Sequence, residues 1–363
     1  MNNYKNKISI LATFIVLLSF GNNVAAKTII NPAPKKITKE FVRIFYCQNG
    51  KKASDSLAKN YRSVDIIAPQ AYSITATGTL IGGVDPKITA IATKRKIKIM
   101  PLIVNKGFSS RAAADFFDDI EHQQSAVNAM VDEGIKNSYW GWQVDFEQVN
   151  ISYQKQFSDF VAILGDALHK NGMTVSVAVI AQTSTEPTDY KGDYWNKFIG
   201  VYDYAALASS SDFISLMSYD DPGSTGPATR YTWLKQVLNF SLKYIPPEKI
   251  SIGIPLYYWR WNDSTGKRVG TGTYTQLLQK MNQYNMKRGY DPKEAASYMR
   301  YRSNKMTYTI WYENSKSVAK KIDLIKENGL HGFSAWALGQ EVPNFHEAIF
   351  SNKYLVDRSL VMR

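Results

Sequence analysis

Eight short apolar, β-branched runs recur along this chain of 363 residues, each separated from the next by residues with helical or loop patterning. The runs lie at residues 41–47, 63–69, 97–104, 139–149, 173–179, 212–219, 250–256 and 332–336. Runs of this length and composition read as buried strands. Between them, residues 86–94, 122–137, 153–168, 232–244 and 315–328 place apolar side chains three and four apart, the mark of a helix with one buried face. The clearest is 153–168, where Phe157, Phe160, Val161, Leu164 and Leu168 share a face and Asn171-Gly172 ends the pattern. Residues 126, 129, 130 and 135 form a similar apolar face on 122–137. Strands alternating with helices pair in parallel through crossover connections. Eight such units in about 300 residues fit an α/β fold of the (β/α)8 TIM barrel type better than an open doubly wound sheet. The lack of a glycine-rich phosphate loop after the first run points the same way.

One interval breaks the rhythm. Residues 259–312 separate the seventh and eighth runs and are too many for a plain crossover. They hold a helical stretch at 274–286 and strand-like stretches at 298–301 and 307–312. A small α+β insertion, at about 260–312, is expected on the upper face of the barrel. The barrel domain itself is expected over 41–350, followed by a tail at 351–363.

The fourth run, Tyr139-Trp-Gly-Trp-Gln-Val-Asp-Phe-Glu-Gln-Val149, carries polar groups in an apolar frame. Gln143, Asp145 and Glu147 occupy every second position, so on a strand they point the same way, while Val144 and Phe146 point the other way. Burying two carboxylates costs several kcal/mol unless they are paired or hydrogen-bonded. The alternative is an exposed strand end with two solvated acids, and the flanking Trp140, Trp142 and Phe146 argue against it. Barrel sites form at the C-terminal ends of strands. Glu147 ends the fourth run, Met217-Ser-Tyr-Asp220 the sixth, Tyr257-Tyr-Trp259 the seventh and Trp336 the eighth.

Other candidates have plainer readings. Asp118-Asp119 reads as a solvated helix start, and Asp220-Asp221 lacks a third ligand for a metal. His122, His169, His331 and His346 show no metal-ligand spacing, and no metal or cofactor is called for. Cys47, the only cysteine, sits in a strand-like run and reads as a buried thiol. Tyr257, Tyr258, Trp259 and Trp261 form either a rim that stacks on a flat ligand or the packing of the insertion.

The N-terminus reads as a secretory leader. Lys5 and Lys7 precede an apolar run at 8–20, and Val24-Ala25-Ala26 offers small residues for cleavage after Ala26. No cysteine near that point would take a lipid anchor, and no later stretch is long enough to span a membrane. Residues 27–40 read as an exposed lead-in. The net charge is +13, of which Lys5 and Lys7 supply two. Spread basic charge without a nucleic-acid motif suggests attraction to an anionic envelope and excludes a nucleic-acid partner. The expected protein is an exported monomer of the periplasm, cell wall or medium.

These motifs together resemble family 18 glycoside hydrolases, whose strand-four signature is D-x-x-D-x-D-x-E. Here it stands as Trp140-Gly-Trp-Gln143-Val-Asp145-Phe-Glu147. Leu216-Met-Ser-Tyr-Asp220, Ile252-Gly-Ile-Pro255 and Gly332-Phe-Ser-Ala-Trp336 match at the sixth, seventh and eighth strands. Gln143 replaces the middle aspartate of chitinases. That replacement resembles the amide found in bacterial spore-cortex-lytic and cell-wall N-acetylglucosaminidases, as do Ile99-Met-Pro-Leu-Ile-Val-Asn105 and Trp336-Ala-Leu-Gly-Gln-Glu341. The resemblance implies cleavage of β-1,4 bonds next to N-acetylglucosamine, in peptidoglycan or chitin-like glycans, with the substrate's own acetamide oxygen as nucleophile. It implies Glu147 as general acid, Asp145 as holder of the acetamide N–H and Tyr219 as donor to the acetamide oxygen. Gln143, Asp220, Trp336, Tyr72 and Tyr257 would contact the sugar. A non-catalytic carbohydrate-binding relative is the alternative, and such relatives usually lose the strand-four acid that Glu147 retains here.

Overall fold

The structure, a computed structural model, describes residues 41–350. The expected leader at 1–26, the lead-in at 27–40 and the tail at 351–363 lie outside the described residues. Eight parallel strands form the barrel. They are β1 (Val42–Cys47), β2 (Ile66–Ile74), β3 (Lys98–Ile99 and Leu102–Asn105), β4 (Gly141–Val144), β5 (Thr174–Ile180), β6 (Phe213–Met217), β7 (Ile250–Pro255) and β8 (Gly332–Trp336). Each pairs with its neighbours in sequence, and β8 returns to pair with β1, which closes the sheet into a (β/α)8 barrel. The seam is tight: a Cβ at Gly332 would overlap the Val42 carbonyl.

Alternation along the strands makes two cores. On β1, Ile44 and Tyr46 face a small interior cluster with Ala68, Met100 and Phe213. Phe45 and Cys47 face outward into the large layer between strands and helices. In that layer Phe146 stacks on Phe160 and meets Phe116 edge-on, at centroid distances of 5.9 and 5.8 Å. Helices Gln154–Lys170 and Ile120–Lys136 cover this side. Asp119 caps the second of these, its side chain accepting from Glu121 N–H, as a solvated helix start should.

The structure departs from the pattern at definite places. β3 is broken at Met100-Pro101, because proline has no N–H for the ladder. A helix, Ser110–Phe117, capped by Ser109, lies ahead of Ile120–Lys136 where the sequence pattern marks none. Ile135 is exposed and does not share the buried face of its helix. The insertion is richer than expected: a five-stranded antiparallel sheet ordered Lys267–Gly272, Tyr258–Asn262, Met306–Tyr312, Ala296–Ser303 and Lys287–Asp291, with helix Tyr274–Gln283. Its two edge strands bury no residue fully and carry Lys267, Arg268, Lys287 and Arg288, so they lack the apolar alternation that marks a strand in sequence.

Candidate active site

β4 ends at Val144, and the next residues leave the sheet at the mouth of the barrel. Phe146 is buried in the outer phenylalanine cluster, which anchors the segment and sets Asp145 and Glu147 on the opposite, inner side. Side chains from neighbouring elements then hold the backbone. Asn105, at the end of β3, accepts from Glu147 N–H at 3.0 Å and donates to the Glu147 carbonyl at 2.9 Å. Tyr202 donates to the Phe146 carbonyl at 2.8 Å. Gln148 then turns the chain with φ of 56°.

The two acids open into a cleft of about 1180 Å³ at the C-terminal ends of the strands. Gln70, Tyr219, Asp220, Tyr257 and Trp336 line it from the barrel, and Trp259 and Arg268 line it from the insertion. Asp220 stands just past β6 with φ of 58°, a left-handed conformation that aspartate tolerates better than most residues. Tyr257 donates to Asp220 Oδ1 at 2.6 Å, and its ring meets Tyr219 edge-on at 6.4 Å. The Trp336 ring lies 5.6 Å from Tyr46.

Burial controls the charge of this site. Asp145 is 4% exposed and its Oδ1 has no hydrogen-bond partner. Burial, and then the charge of Glu147, hold its carboxyl well above the usual carboxylate range, with the Gln70 side chain opposing. Burial raises Glu147 as well, and Asp220 adds to it. Asp220 is raised by burial, against the pull of Tyr257 and Arg268. Burial pushes the phenols of Tyr219 and Tyr257 upward, so both remain hydrogen-bond donors. The cleft therefore favours a protonated carboxyl beside phenolic donors, which is the equipment for protonating a leaving oxygen.

Six of the expected residues gather here: Asp145, Glu147, Tyr219, Asp220, Tyr257 and Trp336. Two do not. Gln143 is fully buried one strand repeat deeper, below the cleft floor, where its Nε2 donates to Ser176 at 2.7 Å and Ser215 at 3.0 Å. Tyr72 shows a parity change. A register shift between Gln70 and Tyr72 on β2 leaves Gln70 in the cleft and turns Tyr72 outward. There its hydroxyl donates to Glu133 at 2.9 Å, bonds Tyr139 at 2.8 Å, and its ring meets Trp142 edge-on. The same shift explains why Gln70 was missed. Asn105 and Tyr202 were missed because they act through the backbone, though a polar residue ending a strand is a legible signal for the first.

The remaining candidates resolve plainly. Asp221 pairs with Arg230 through two contacts, at 2.6 and 3.0 Å, which is its partner in place of a metal. Cys47 is buried and its thiol is pushed up by burial. Trp261 donates to the Gly226 carbonyl at 2.6 Å, Tyr258 lies in the insertion's own core, and Trp259 is buried against Trp261 and Ala228, so these three pack the insertion, while Tyr257 lines the cleft beside one face of Trp259.

The family model described as "Glycosyl hydrolases family 18" matches residues 19–341. The chain belongs to this family. It is a glycoside hydrolase of family 18, and its relatives fit that assignment. It is 30% identical over 307 residues to the uncharacterised glycosylase YvbX of Bacillus subtilis (strain 168), covering 81% of this chain and 86% of that protein. It is 23% identical over 326 residues to the cortical fragment-lytic enzyme of the same organism, covering 86% of this chain and 74% of that one. A chitinase from Chromobacterium violaceum superposes with a TM-score of 0.76 at 27% identity, covering 88% of this chain and 100% of that chain. The spore cortex-lytic enzyme of Bacillus megaterium shares the fold, with a TM-score of 0.77 at 22% identity over 88% of this chain and 75% of that chain.

Proposed function

We propose that this hydrolase is exported and cleaves β-1,4 bonds next to N-acetylglucosamine by substrate-assisted, retaining catalysis, in peptidoglycan or chitin-like glycans. The observation that carries the reading is the pair Asp145 and Glu147 at one cleft floor, both held toward the protonated form by burial. Glu147 gives its proton to the leaving oxygen. Asp145 accepts the acetamide N–H through a carboxyl oxygen and so orients the acetamide group. The acetamide oxygen attacks the anomeric carbon as the glycosidic bond breaks, and no second protein carboxylate is needed. Glu147, now ionised, takes a proton from the water that opens the ring. Tyr219 donates to the acetamide oxygen and aligns it. Trp336 gives the sugar an apolar floor, and Asp220 with Tyr257 takes its hydroxyl groups.

The leader-like N-terminus and the cortex-lytic relatives support action on a wall polymer outside the cytoplasm. Among the described residues, no helix is long and apolar enough to cross a membrane. The test is mass spectrometry of products from peptidoglycan and from chitin oligomers, incubated with the purified protein and with Glu147→Gln. Fragments with a new reducing N-acetylglucosamine end, and a loss of about 10²–10⁴ in kcat for the variant with binding kept, support the reading. Equal turnover by both proteins rejects it.

A further inference from the structure

The cleft of this enzyme contains a cation that the proposed chemistry does not use. Among the described residues, two basic ones line it, Arg230 and Arg268. Arg230 is committed to Asp221. Arg268 is exposed and lies with its guanidinium 4.1 Å from the centre of the Trp259 ring. Its charge acts on Asp220 and Tyr257 across the cleft, yet no described carboxylate forms an ion pair with it. The backbone is shaped to put it there. On the pair Tyr258–Asn262 and Lys267–Gly272, the register shifts between Arg260 and Trp261, so that Arg260 faces Gly270 but Trp261 faces Arg268. A bulge of this kind re-aims a side chain next to a site.

The surroundings carry the same sign. Residues 258–312 hold ten basic and three acidic residues, a balance of +7 that is more than half of the chain's +13. Of these charges Arg268 alone lines the cleft, and the others lie on the body of the insertion around it. A neutral chain of N-acetylglucosamine offers Arg268 nothing to pair with. A guanidinium over an indole is held by the ring while N–H donors remain for a partner, which suits two-point recognition of a carboxylate.

We propose that Arg268, stacked on Trp259, forms an anion subsite that takes a carboxylate carried by the substrate, so that the preferred glycan is an acidic amino-sugar chain. This rests on the glycosidase reading of the cleft. The carboxylate is either that of a lactyl ether on alternate sugars or that of a peptide attached through it.

The test compares the wild-type protein with Arg268→Gln and Arg268→Lys on three substrates of equal length. These are chitin oligomers, peptide-stripped oligomers of alternating N-acetylglucosamine and N-acetylmuramic acid, and the same oligomers with their peptides. The readout is the ratio of kcat/KM for acidic over neutral substrate. It falls about 10–100-fold in Arg268→Gln and recovers in part in Arg268→Lys. A fall with stripped oligomers assigns the lactyl carboxylate, and a fall confined to peptide-bearing ones assigns the peptide. An unchanged ratio overturns the proposal, including the case where all three substrates slow equally because Arg268 acts only through Asp220. If the wild type turns over none of them, the glycosidase reading fails. Calorimetric affinities of the Glu147→Gln protein, with and without Arg268→Gln, then decide the anion subsite alone.

Discussion

Asp145 is a carboxyl group kept where water cannot solvate its charge, and this has a thermodynamic signature. Its folded-state pKa is raised by burial and by Glu147. A group raised in this way contributes stability that is present below its unfolded pKa, about 4 for aspartate, and is lost as pH rises through the folded value. Asp145→Asn cannot ionise, so it escapes that loss. The variant should melt higher than wild type at pH 8, and the two should converge near pH 3. A difference of the same size at both values would contradict the assignment. Asp220 gives a second signature, because its charge helps raise Glu147. Asp220→Asn removes a like charge, the Glu147 pKa falls, and the alkaline limb of the kcat profile moves to lower pH. A limb that stays in place while kcat drops means that Asp220 binds sugar without tuning the acid. The sequence showed these residues because period two on an apolar strand is hard to disguise. It misplaced Tyr72 because a bulge inverts that period, and neither Gln70 nor Ala71 announces it.

At the scale of elements, the acid is positioned by strand ends. Asn105 closes β3 and bonds both backbone groups of Glu147 on β4's continuation, so two adjacent strands fix one carboxyl. Removing that tie leaves the fold's apolar layers intact but loosens the acid. Asn105→Ala should lower kcat on the order of 10–100-fold with a smaller change in KM, since misplacement of about 1 Å is costly in a positioned reaction. A KM effect with kcat kept would show instead that Asn105 serves binding. Steady-state kinetics on a soluble oligomer separate the two. The barrel strands were legible because each is buried on both faces and reads as a continuous apolar run. β8 lies at 332–336 in the structure as in the sequence. β4 is shorter than its apolar run, because the chain leaves the sheet where the site begins. The insertion's edge strands were illegible for the opposite reason: solvent and lysine cover them, and they are strands only through pairing with a more apolar neighbour.

At the scale of the whole molecule, charge is distributed unevenly, and that should appear in kinetics. The insertion's +7 stands beside a cleft lined by Asp145, Glu147 and Asp220. Exposed charge attracts an anionic polymer over roughly a Debye length, about 10 Å at 0.1 M salt and 3 Å at 1 M. For a carboxylated glycan, kcat/KM should therefore fall steeply as salt rises through this range, while the value for a chitin oligomer should stay nearly flat. Local recognition and long-range attraction can be told apart by mutating away from the cleft. Lys287 and Arg288 are exposed on the far edge strand, and Lys305 lies in the turn between two others. Replacing all three by glutamate should flatten the salt dependence without altering kcat, because none touches the cleft. If the slope is unchanged, the attraction is local to Arg268 and the insertion's charge has no part in substrate capture. If the slope flattens, the insertion acts as an electrostatic guide, which gives a role to the +7 carried beside a cleft whose floor holds acids.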